Sequence, residues 1–329
     1  MGKRPLSRVQ QARARAAEVK RAEARAVRVQ RAKDRGGLGP LRDRVVKPVT
    51  LKRYKACVKE FFKWCKQQGY KTPSSTEDFD GHFTAWAECL WSEGDPRTIL
   101  GNGLAGIAHL VPSLRRRLNG TWRLYNAWGR LEPAKQAPPL TLLMTQALAG
   151  WYIQEKLLGA GLGILLAFNI ILRTGELLEL RKSDFTFGPD IMIIVLRDTK
   201  VGSRFGVLQE TVCKDKWLVQ KFKQYLKGLD MGDVIVQLSA ANFRGMWRKA
   251  SKACGIGPAY KPYSLRRGGA TSLFRHTGKY DIVMERGRWL SVKSMKGYIN
   301  QALQELATVD ELDAKNHIWT RYADKLHLA

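Results

Sequence analysis

Apolar residues recur every three or four positions between residues 51 and 65, which is the spacing of one helix face. Thr50 stands at the N-cap position of this predicted helix. The same periodicity predicts helices over residues 82–91, 98–110 and 114–128, so residues 49–132 are expected to form one helical domain. The apolar stripe of its first helix is Leu51, Tyr54, Val58, Phe61, Phe62 and Cys65.

Residues 133–140, with the sequence PAKQAPPL, are rich in proline and lack helical periodicity, which predicts a linker. Helical segments follow it. Residues 188–209 then combine two β-branched runs with a Lys-Val-Gly-Ser turn, which predicts a β-hairpin, and helices return from Trp217. The expected fold is mainly α with a small β-hairpin or sheet, and residues 141–329 form its second domain.

The N-terminal stretch, residues 1–48, holds 15 basic and 4 acidic residues and no aromatic residue. Its good helix formers carry no wide apolar stripe, so it has no face to bury. We expect a basic, flexible arm. Two interpretations remain open: a solubilising or nuclear-targeting tail, and an arm that grips DNA.

The charge of the whole chain favours a polyanionic partner. The sequence has 57 Lys and Arg against 29 Asp and Glu, a net charge of +28. Nucleic acid, here double-stranded DNA, is favoured over an anionic membrane or simple solvation. The longest apolar run, residues 161–172, is too short to cross a bilayer, and no secretory signal is visible. We expect an intracellular protein with no membrane association, nuclear in a eukaryotic host and otherwise cytoplasmic with the nucleoid.

Neither a metal nor an organic cofactor is expected. The five cysteines form no C-x-x-C pair, and the five histidines do not cluster with acidic residues at ligand spacing. The sequence also contains no nucleotide-binding motif.

Two groups of basic residues are candidate contacts to DNA phosphates. One follows the polar face of the first helix of residues 49–132, and the other lies near a predicted helix start, where cations oppose the helix dipole. A solvated surface remains the alternative interpretation for both. The groups are Lys52, Lys55, Lys59, Lys63 and Lys66, and Arg115, Arg116 and Arg117.

The chemistry of the second domain begins with a charged pair inside an apolar segment. Arg173 and Glu176 are three residues apart and follow Ile171 and Leu172. The pair could form a local (i, i+3) ion pair. Alternatively, Arg173 could offer its donors to a phosphate, with Glu176 behind it orienting the guanidinium.

Three further segments carry candidate residues. The predicted hairpin turn contains Lys200. The segment PYSLRRGGATSLF, residues 262–274, places two arginines before small residues that permit close backbone approach. The segment RGRWLSVKSMKGYIN, residues 286–300, contains a tryptophan and a tyrosine nine residues apart.

In this order, the segments resemble the tyrosine recombinase, or phage-integrase-type, superfamily. The pattern Arg-x-x-Glu-Leu-Leu-x-Leu followed by Ser-Asp begins at Arg173. Lys200 is at the position of the family's hairpin lysine, and Tyr263-Ser-Leu-Arg266 is similar to its His-x-x-Arg segment. Trp289 fits the His-or-Trp position and Tyr298 the nucleophile. The helical domain before the linker resembles the family's SAM-like core-binding domain.

The resemblance implies a site-specific recombinase or integrase, with family members acting as homo-tetramers on paired DNA sites. Tyr298 would attack the phosphodiester, Arg173 and Arg266 would stabilise the negative charge, and Lys200 would protonate the leaving sugar oxygen. Trp289 would close the site. Arg267 and Lys293 would contact flanking phosphates.

One departure from the family keeps alternatives open. Tyr263 replaces a histidine, and a phenol donates a hydrogen bond but is a poor base at neutral pH. A noncatalytic DNA-binding protein of the same fold is therefore one alternative. A type IB topoisomerase, which uses similar chemistry, is the enzymatic alternative. The tail after Tyr298, ending IWTRYADKLHLA, has an apolar face that suits docking on a neighbouring protomer or on its own domain.

Overall fold

The computed structural model describes residues 8–37, 39–41, 45–197, 208–300, 305 and 316–329, with side chains from residue 18 onward. The chain divides into two compact units, Met1–Ala134 and Lys135–Ala329. Each unit buries its own apolar cluster. No helix of the described residues is both long and apolar enough to cross a membrane.

The first unit is helical. Its helices are α1 (Arg8–Gly36), α2 (Pro48–Gln67), α3 (Thr76–Ser92), α4 (Thr98–Leu110) and α5 (Asn119–Leu131), with a 3-10 turn at Pro112–Leu114. The side chains described in α1 are exposed, as expected for a helix without an apolar stripe. Helix α2 packs against α4, and α3 against α5.

The core of this unit is aromatic. Phe61 of α2 packs with its ring centroid 4.1 Å from that of Phe83 and 5.4 Å from that of Trp86, both of α3. Helix α3 begins after a true N-cap, because the Ser75 hydroxyl accepts a hydrogen bond from the backbone N–H of Asp78 at 3.0 Å. The ring contacts of Phe61 identify the face of α2 that is buried.

Three sequence-based expectations for this unit were wrong. Helix α2 begins two residues before Thr50, with Lys47 at the N-cap position and Pro48 in the first turn, a position that suits proline because its missing N–H is not needed there. Phe62 is 47% exposed and does not belong to the buried stripe. Residues 115–118 form a turn, with Arg116 at φ +64°, so the helix expected from residue 114 starts only at Asn119.

The second unit combines helices with a small sheet. The helices are α6 (Leu142–Gln154), α7 (Leu158–Asn169), α8 (Thr174–Glu179), α9 (Lys216–Tyr225), α10 (Ala240–Ala253), α11 (Ser264–Thr277), α12 (Tyr280–Gly287), α13 (Val292–Lys296) and α14 (Asn316–Ala323). The strands are β1 (Phe185–Phe187), β2 (Met192–Leu196) and β3 (Gln209–Cys213), antiparallel in the order β1-β2-β3. The mainly helical fold with a small sheet is confirmed.

The predicted hairpin corresponds to β2 and β3, in a register that pairs Met192 with Cys213 and Leu196 with Gln209. Its turn, with Lys200, lies outside the described residues. Strand β1 was not predicted, since three residues are too few to show alternation.

The end of the chain folds back on its own unit. Helix α14 packs against α6, and Trp319 is fully buried with its indole N–H donating to the carbonyl of Cys254 at 2.8 Å. Of the two docking alternatives for this tail, the structure shows docking on its own domain.

Helix α11 passes close to the end of α7, and this approach sets the position of the candidate site. A Cβ added to Gly269 would overlap the carbonyl oxygen of Phe168. Main-chain atoms cannot move aside as a flexible side chain can, so the residue must be glycine for reasons of space.

We therefore expect Gly269→Ala to lower the free energy of unfolding by about 2 kcal/mol or more, because the added methyl group overpacks a rigid contact. Gly245→Ala, in α10, is the matched control: no atom lies within 4 Å of its added Cβ, and it should stabilise by about 0.5–1 kcal/mol. Urea unfolding measures both. Equal midpoints for the two variants would contradict the close-approach argument.

Candidate active site

Helix α8 positions the first charged pair of the site. Arg173 takes an extended backbone at the N-cap, and the buried Glu176 carboxylate accepts its backbone N–H at 2.8 Å and a second hydrogen bond from its guanidinium. The carboxylate thereby satisfies a donor that the helix start leaves free. The Arg173 side chain keeps 23% of its surface exposed. The (i, i+3) ion pair thus exists, and it leaves part of the guanidinium accessible.

Arg288 is a second partner of Glu176, and sequence reasoning missed it. Its guanidinium lies 2.7 Å from Oε2 of Glu176, the oxygen that also accepts the Arg173 backbone N–H, with only 5% of the side chain exposed. It also donates to the carbonyls of Ile170 and Arg286, at 3.4 and 3.2 Å. The one available signal was that a buried carboxylate needs more than one cationic or N–H donor.

The surroundings of Glu176 keep it ionised. Burial raises the pKa of the carboxyl, but the Arg288 charge, the Arg173 backbone N–H and the Arg173 charge outweigh that effect and lower it overall. Glu176 is therefore a fixed negative charge between two arginines. An ionised carboxylate orients a guanidinium and cannot act as a proton donor.

Arg266, the second predicted arginine, is fully buried in the first turn of α11. Its two terminal nitrogens donate to the carbonyls of Ile171 and Gly287, at 2.5 and 2.6 Å. Burial and the positive charge of Arg173 lower the pKa of Arg266 to about 10, so it remains protonated at neutral pH. Ile171 presents its carbonyl from a left-handed conformation, φ +55°.

Two aromatic rings cover Arg266. Its guanidinium carbon lies 4.3 Å from the ring centroid of Trp289 and 5.5 Å from that of Tyr298. The two rings meet at an edge, with centroids 4.7 Å apart. Trp289 is 8% exposed, and its indole N–H is one of the donors that lower the pKa of Tyr298.

Tyr263 and Tyr298 lie side by side, with ring centroids 5.5 Å apart. Burial raises the pKa of Tyr298, yet a hydrogen bond from Tyr263 and the charges of Arg266 and Arg173 outweigh it, and the net shift is downward. Burial and the neighbouring Tyr298 raise the pKa of Tyr263. Tyr298 is thus the phenol of the pair that loses its proton first.

Arg267 holds the chain segment that carries Tyr298. It is 3% exposed, and its guanidinium donates to the side-chain oxygen of Gln136 and to the carbonyl of Gly297, both at 2.6 Å. The Thr271 hydroxyl reaches the carbonyl of Tyr298 at 3.4 Å. In this structure Arg267 is therefore a buried anchor with protein partners, in contrast to the expected phosphate contact at the surface.

The described part of the second unit brings six predicted site residues together. These are Arg173, Glu176, Tyr263, Arg266, Trp289 and Tyr298, which we call the Tyr298 cluster. Lys293 is exposed on α13, and Lys200 lies outside the described residues. In the other unit, the predicted basic residues are all exposed, on α2 and in the turn before α5: Lys52, Lys55, Lys59, Lys63, Lys66, Arg115, Arg116 and Arg117.

The donor types of this cluster suit an anion and an activated phenol. Two arginines, the indole N–H of Trp289 and the phenol of Tyr263 surround Tyr298, and Glu176 is the carboxylate that the described residues place behind the arginines. The described residues contain no group of three or more His, Cys, Asp or Glu that could hold a metal. Such a site can stabilise negative charge next to a nucleophilic oxygen.

We expect Arg288→Met to destabilise the protein by about 3–5 kcal/mol at neutral pH, because it removes one of the cations from a buried carboxylate. The double variant with Glu176→Gln should lose less than the sum of the single losses. Arg275→Met, which breaks the half-exposed pair with Glu305, should cost less than about 1 kcal/mol.

The interaction energy between Arg288 and Glu176 should depend on pH. The pKa of Glu176 is lowered in the folded state, so its contribution is complete above its unfolded value of about 4.3 and is lost as pH falls through the lower folded value. Urea unfolding of the wild type, the two single variants and the double variant at neutral and acidic pH measures this interaction energy. Strict additivity at neutral pH would refute the buried pair.

Comparisons with known proteins show the family and the fold of this chain. Residues 142–305 match the model of the phage integrase family. A lambda integrase dimer bound to a COC′ core site has a TM-score of 0.54 at 16% identity, covering 80% of this chain and 92% of that one. The Tn1549 transposon integrase in complex with a circular intermediate DNA has a TM-score of 0.51 at 14% identity, covering 78% and 99%. No curated protein matches.

At these identities the solved structures show only a common fold. The match to the family model shows that the sequences are related. The matched residues include the whole Tyr298 cluster. Through residues 142–305, the chain belongs to the phage integrase family of tyrosine recombinases.

Proposed function

We propose that this protein is a site-specific DNA recombinase that cuts and rejoins DNA through a covalent bond to Tyr298. The observation that carries the proposal is the environment of this phenol. It lies against Arg266 and Trp289 and next to Tyr263, and its pKa is lowered. A tyrosine buried for packing alone would have a raised pKa.

In the proposed reaction, the Tyr298 phenol loses its proton to solvent, and its oxygen attacks the phosphorus of a phosphodiester and displaces one sugar oxygen. The phosphorus–sugar bond breaks, a phosphotyrosyl bond forms, and the leaving oxygen takes up a proton. Lys200 is the candidate donor of that proton. Because the phosphotyrosyl bond stores the energy of the cleaved one, a sugar hydroxyl can reverse the step without ATP.

The arginines would stabilise the charge that develops on the nonbridging oxygens. Arg173 is partly exposed and is oriented by Glu176, so its guanidinium can donate hydrogen bonds to a phosphate without rearrangement. Arg266 donates to two main-chain carbonyls, and a phosphate would have to replace them as acceptors. We therefore propose that binding of DNA completes the site.

Binding of DNA is supported by charge and by the solved structures of similar fold, which are described as integrases in complex with DNA. Five lysines at helical spacing line the exposed face of α2, and three consecutive arginines precede α5. We propose that both groups contact phosphates. Strand exchange between paired sites would take four protomers.

A second function is favoured by one observation. Arg266 has no exposed surface, and both of its terminal nitrogens already have protein acceptors. A chain that bound DNA without ever releasing this arginine would be a noncatalytic DNA-binding protein. The two functions differ in whether covalent adducts form.

We expect cells expressing the wild type to yield DNA that stays attached to the protein after lysis in strong denaturant, and Tyr298→Phe to yield none. Sequencing the attached DNA also locates the target site. Tyr280→Phe, an exposed tyrosine that stacks on Phe274 outside the cluster, is the matched control and should behave as wild type. Adducts with Tyr298→Phe would exclude Tyr298 as nucleophile, and none with any variant despite binding would favour the noncatalytic function.

We expect Tyr263→Phe to move the pH profile of cleavage to higher pH, because it removes the hydrogen bond that lowers the pKa of Tyr298. The neutral-pH rate should fall about tenfold for each unit of that shift. Tyr263→His, which keeps a donor at the same place, should restore the profile. A lower rate with an unchanged profile in Tyr263→Phe would mean that Tyr263 acts only on binding.

A further inference from the structure

A cavity in the same unit is separate from the Tyr298 cluster in its lining residues. It has a volume of about 630 Å³ and is bounded by one face of α10 and by the loop that leads to α11. This volume is in the range of pockets that hold small organic ligands. None of the residues of the Tyr298 cluster lines it.

The rim of this cavity is strongly basic. Arg244, Arg248, Lys252 and Lys261 line it, and no acidic residue does. None of the four takes part in an ion pair with another described residue. Four cations without a carboxylate repel one another, and an anionic ligand would relieve that repulsion.

The interior of the cavity is apolar. Trp247 and Ile256, only 2% and 4% exposed, contribute to it, together with Pro258 and Pro262. The Trp247 indole N–H is already used, since it donates to the carbonyl of Tyr260 at 3.1 Å. An inorganic anion would leave this apolar wall unused, so the wall indicates a ligand with a flat apolar part.

One polar atom on the wall lacks a partner. Ser251 is 5% exposed, and its hydroxyl makes no hydrogen bond with any described residue. A buried hydroxyl without a partner is unfavourable, and most buried polar groups in proteins have one. Because Ser251 lines the cavity, a polar edge on the ligand could supply the bond.

A basic rim, an apolar wall and a buried hydroxyl together match the three parts of a nucleotide. We propose that this cavity binds a nucleotide unit, with its phosphate at the arginines, its base against the apolar wall and its base edge at Ser251. The unit could be an unstacked nucleotide of bound DNA or a free mononucleotide. The site does not depend on chemistry at Tyr298. Its loop, through Lys261 and Pro262, leads directly into Tyr263.

The first test titrates the full-length protein with deoxyadenosine monophosphate and with inorganic phosphate by calorimetry. The nucleotide should bind at least tenfold more tightly than phosphate. Arg248→Ala should weaken nucleotide binding about tenfold, whereas Lys249→Ala, an exposed cation of the same helix that does not line the cavity, should leave it unchanged. Equal losses in the two variants would show that binding follows net charge alone and would overturn the proposal.

Ser251→Ala separates ligand binding from folding. It should weaken nucleotide binding severalfold while the melting temperature without ligand stays equal or rises, because the variant removes an unpartnered buried group. If Ser251→Ala lowers the melting temperature and leaves binding unchanged, the hydroxyl serves the fold and the proposal fails.

The second test distinguishes the two sources of the nucleotide. It compares a DNA duplex that carries one bulged 2-aminopurine with the fully paired duplex, using the fluorescence of the base. Preference for the bulge that is lost in Arg248→Ala and Ser251→Ala assigns the site to unstacked DNA. Mononucleotide binding without bulge preference assigns it to a free nucleotide. The absence of both mononucleotide binding and bulge preference overturns the proposal. Every readout here is reversible binding and needs no covalent bond to Tyr298, so failure of the proposed recombinase chemistry would be seen separately, in the adduct assay.

Discussion

A carboxylate removed from water must be surrounded by positive charge and N–H donors, and in this protein that requirement falls on Glu176. Its two oxygens bind the start of α8 through Arg173 and the turn after α12 through Arg288. The residue after Arg288 is Trp289, which covers Arg266 and touches Tyr298. One buried negative charge thus ties together the chain segments that surround the candidate nucleophile.

The arginines around Glu176 differ in their exposure to solvent. The arginine pair beside Glu176 is partly open to solvent at Arg173, whereas Arg266 is closed off by main-chain carbonyls and two rings. Arg173 and Arg266 therefore differ in accessibility. The difference is compatible with both proposed functions. In an enzyme, a bound phosphate would replace the carbonyl partners of Arg266, and in a noncatalytic DNA-binding protein Arg266 would keep them.

Much of the fold followed from periodicity, and the rest depended on contacts that periodicity does not encode. The helix at Thr98–Leu110 and the β2–β3 hairpin could be predicted because their patterns are local. Arg288 could not, because its partner lies 112 residues away along the chain. The protein partners of Arg267, the Gln136 side chain and the Gly297 carbonyl, could not be predicted either, because one lies 131 and the other 30 residues away along the chain. Lys200 and its role remain a prediction.

Ile171 illustrates a local conflict that the fold tolerates. A β-branched residue in the left-handed region is strained by on the order of 1–2 kcal/mol, yet this backbone presents a carbonyl to Arg266. Glycine would remove the strain but leave a hole in the apolar cluster that includes Ala270 and Trp289. No single amino acid satisfies both demands. Position 171 is therefore energetically frustrated, as residues at functional sites often are, and few substitutions there would be neutral.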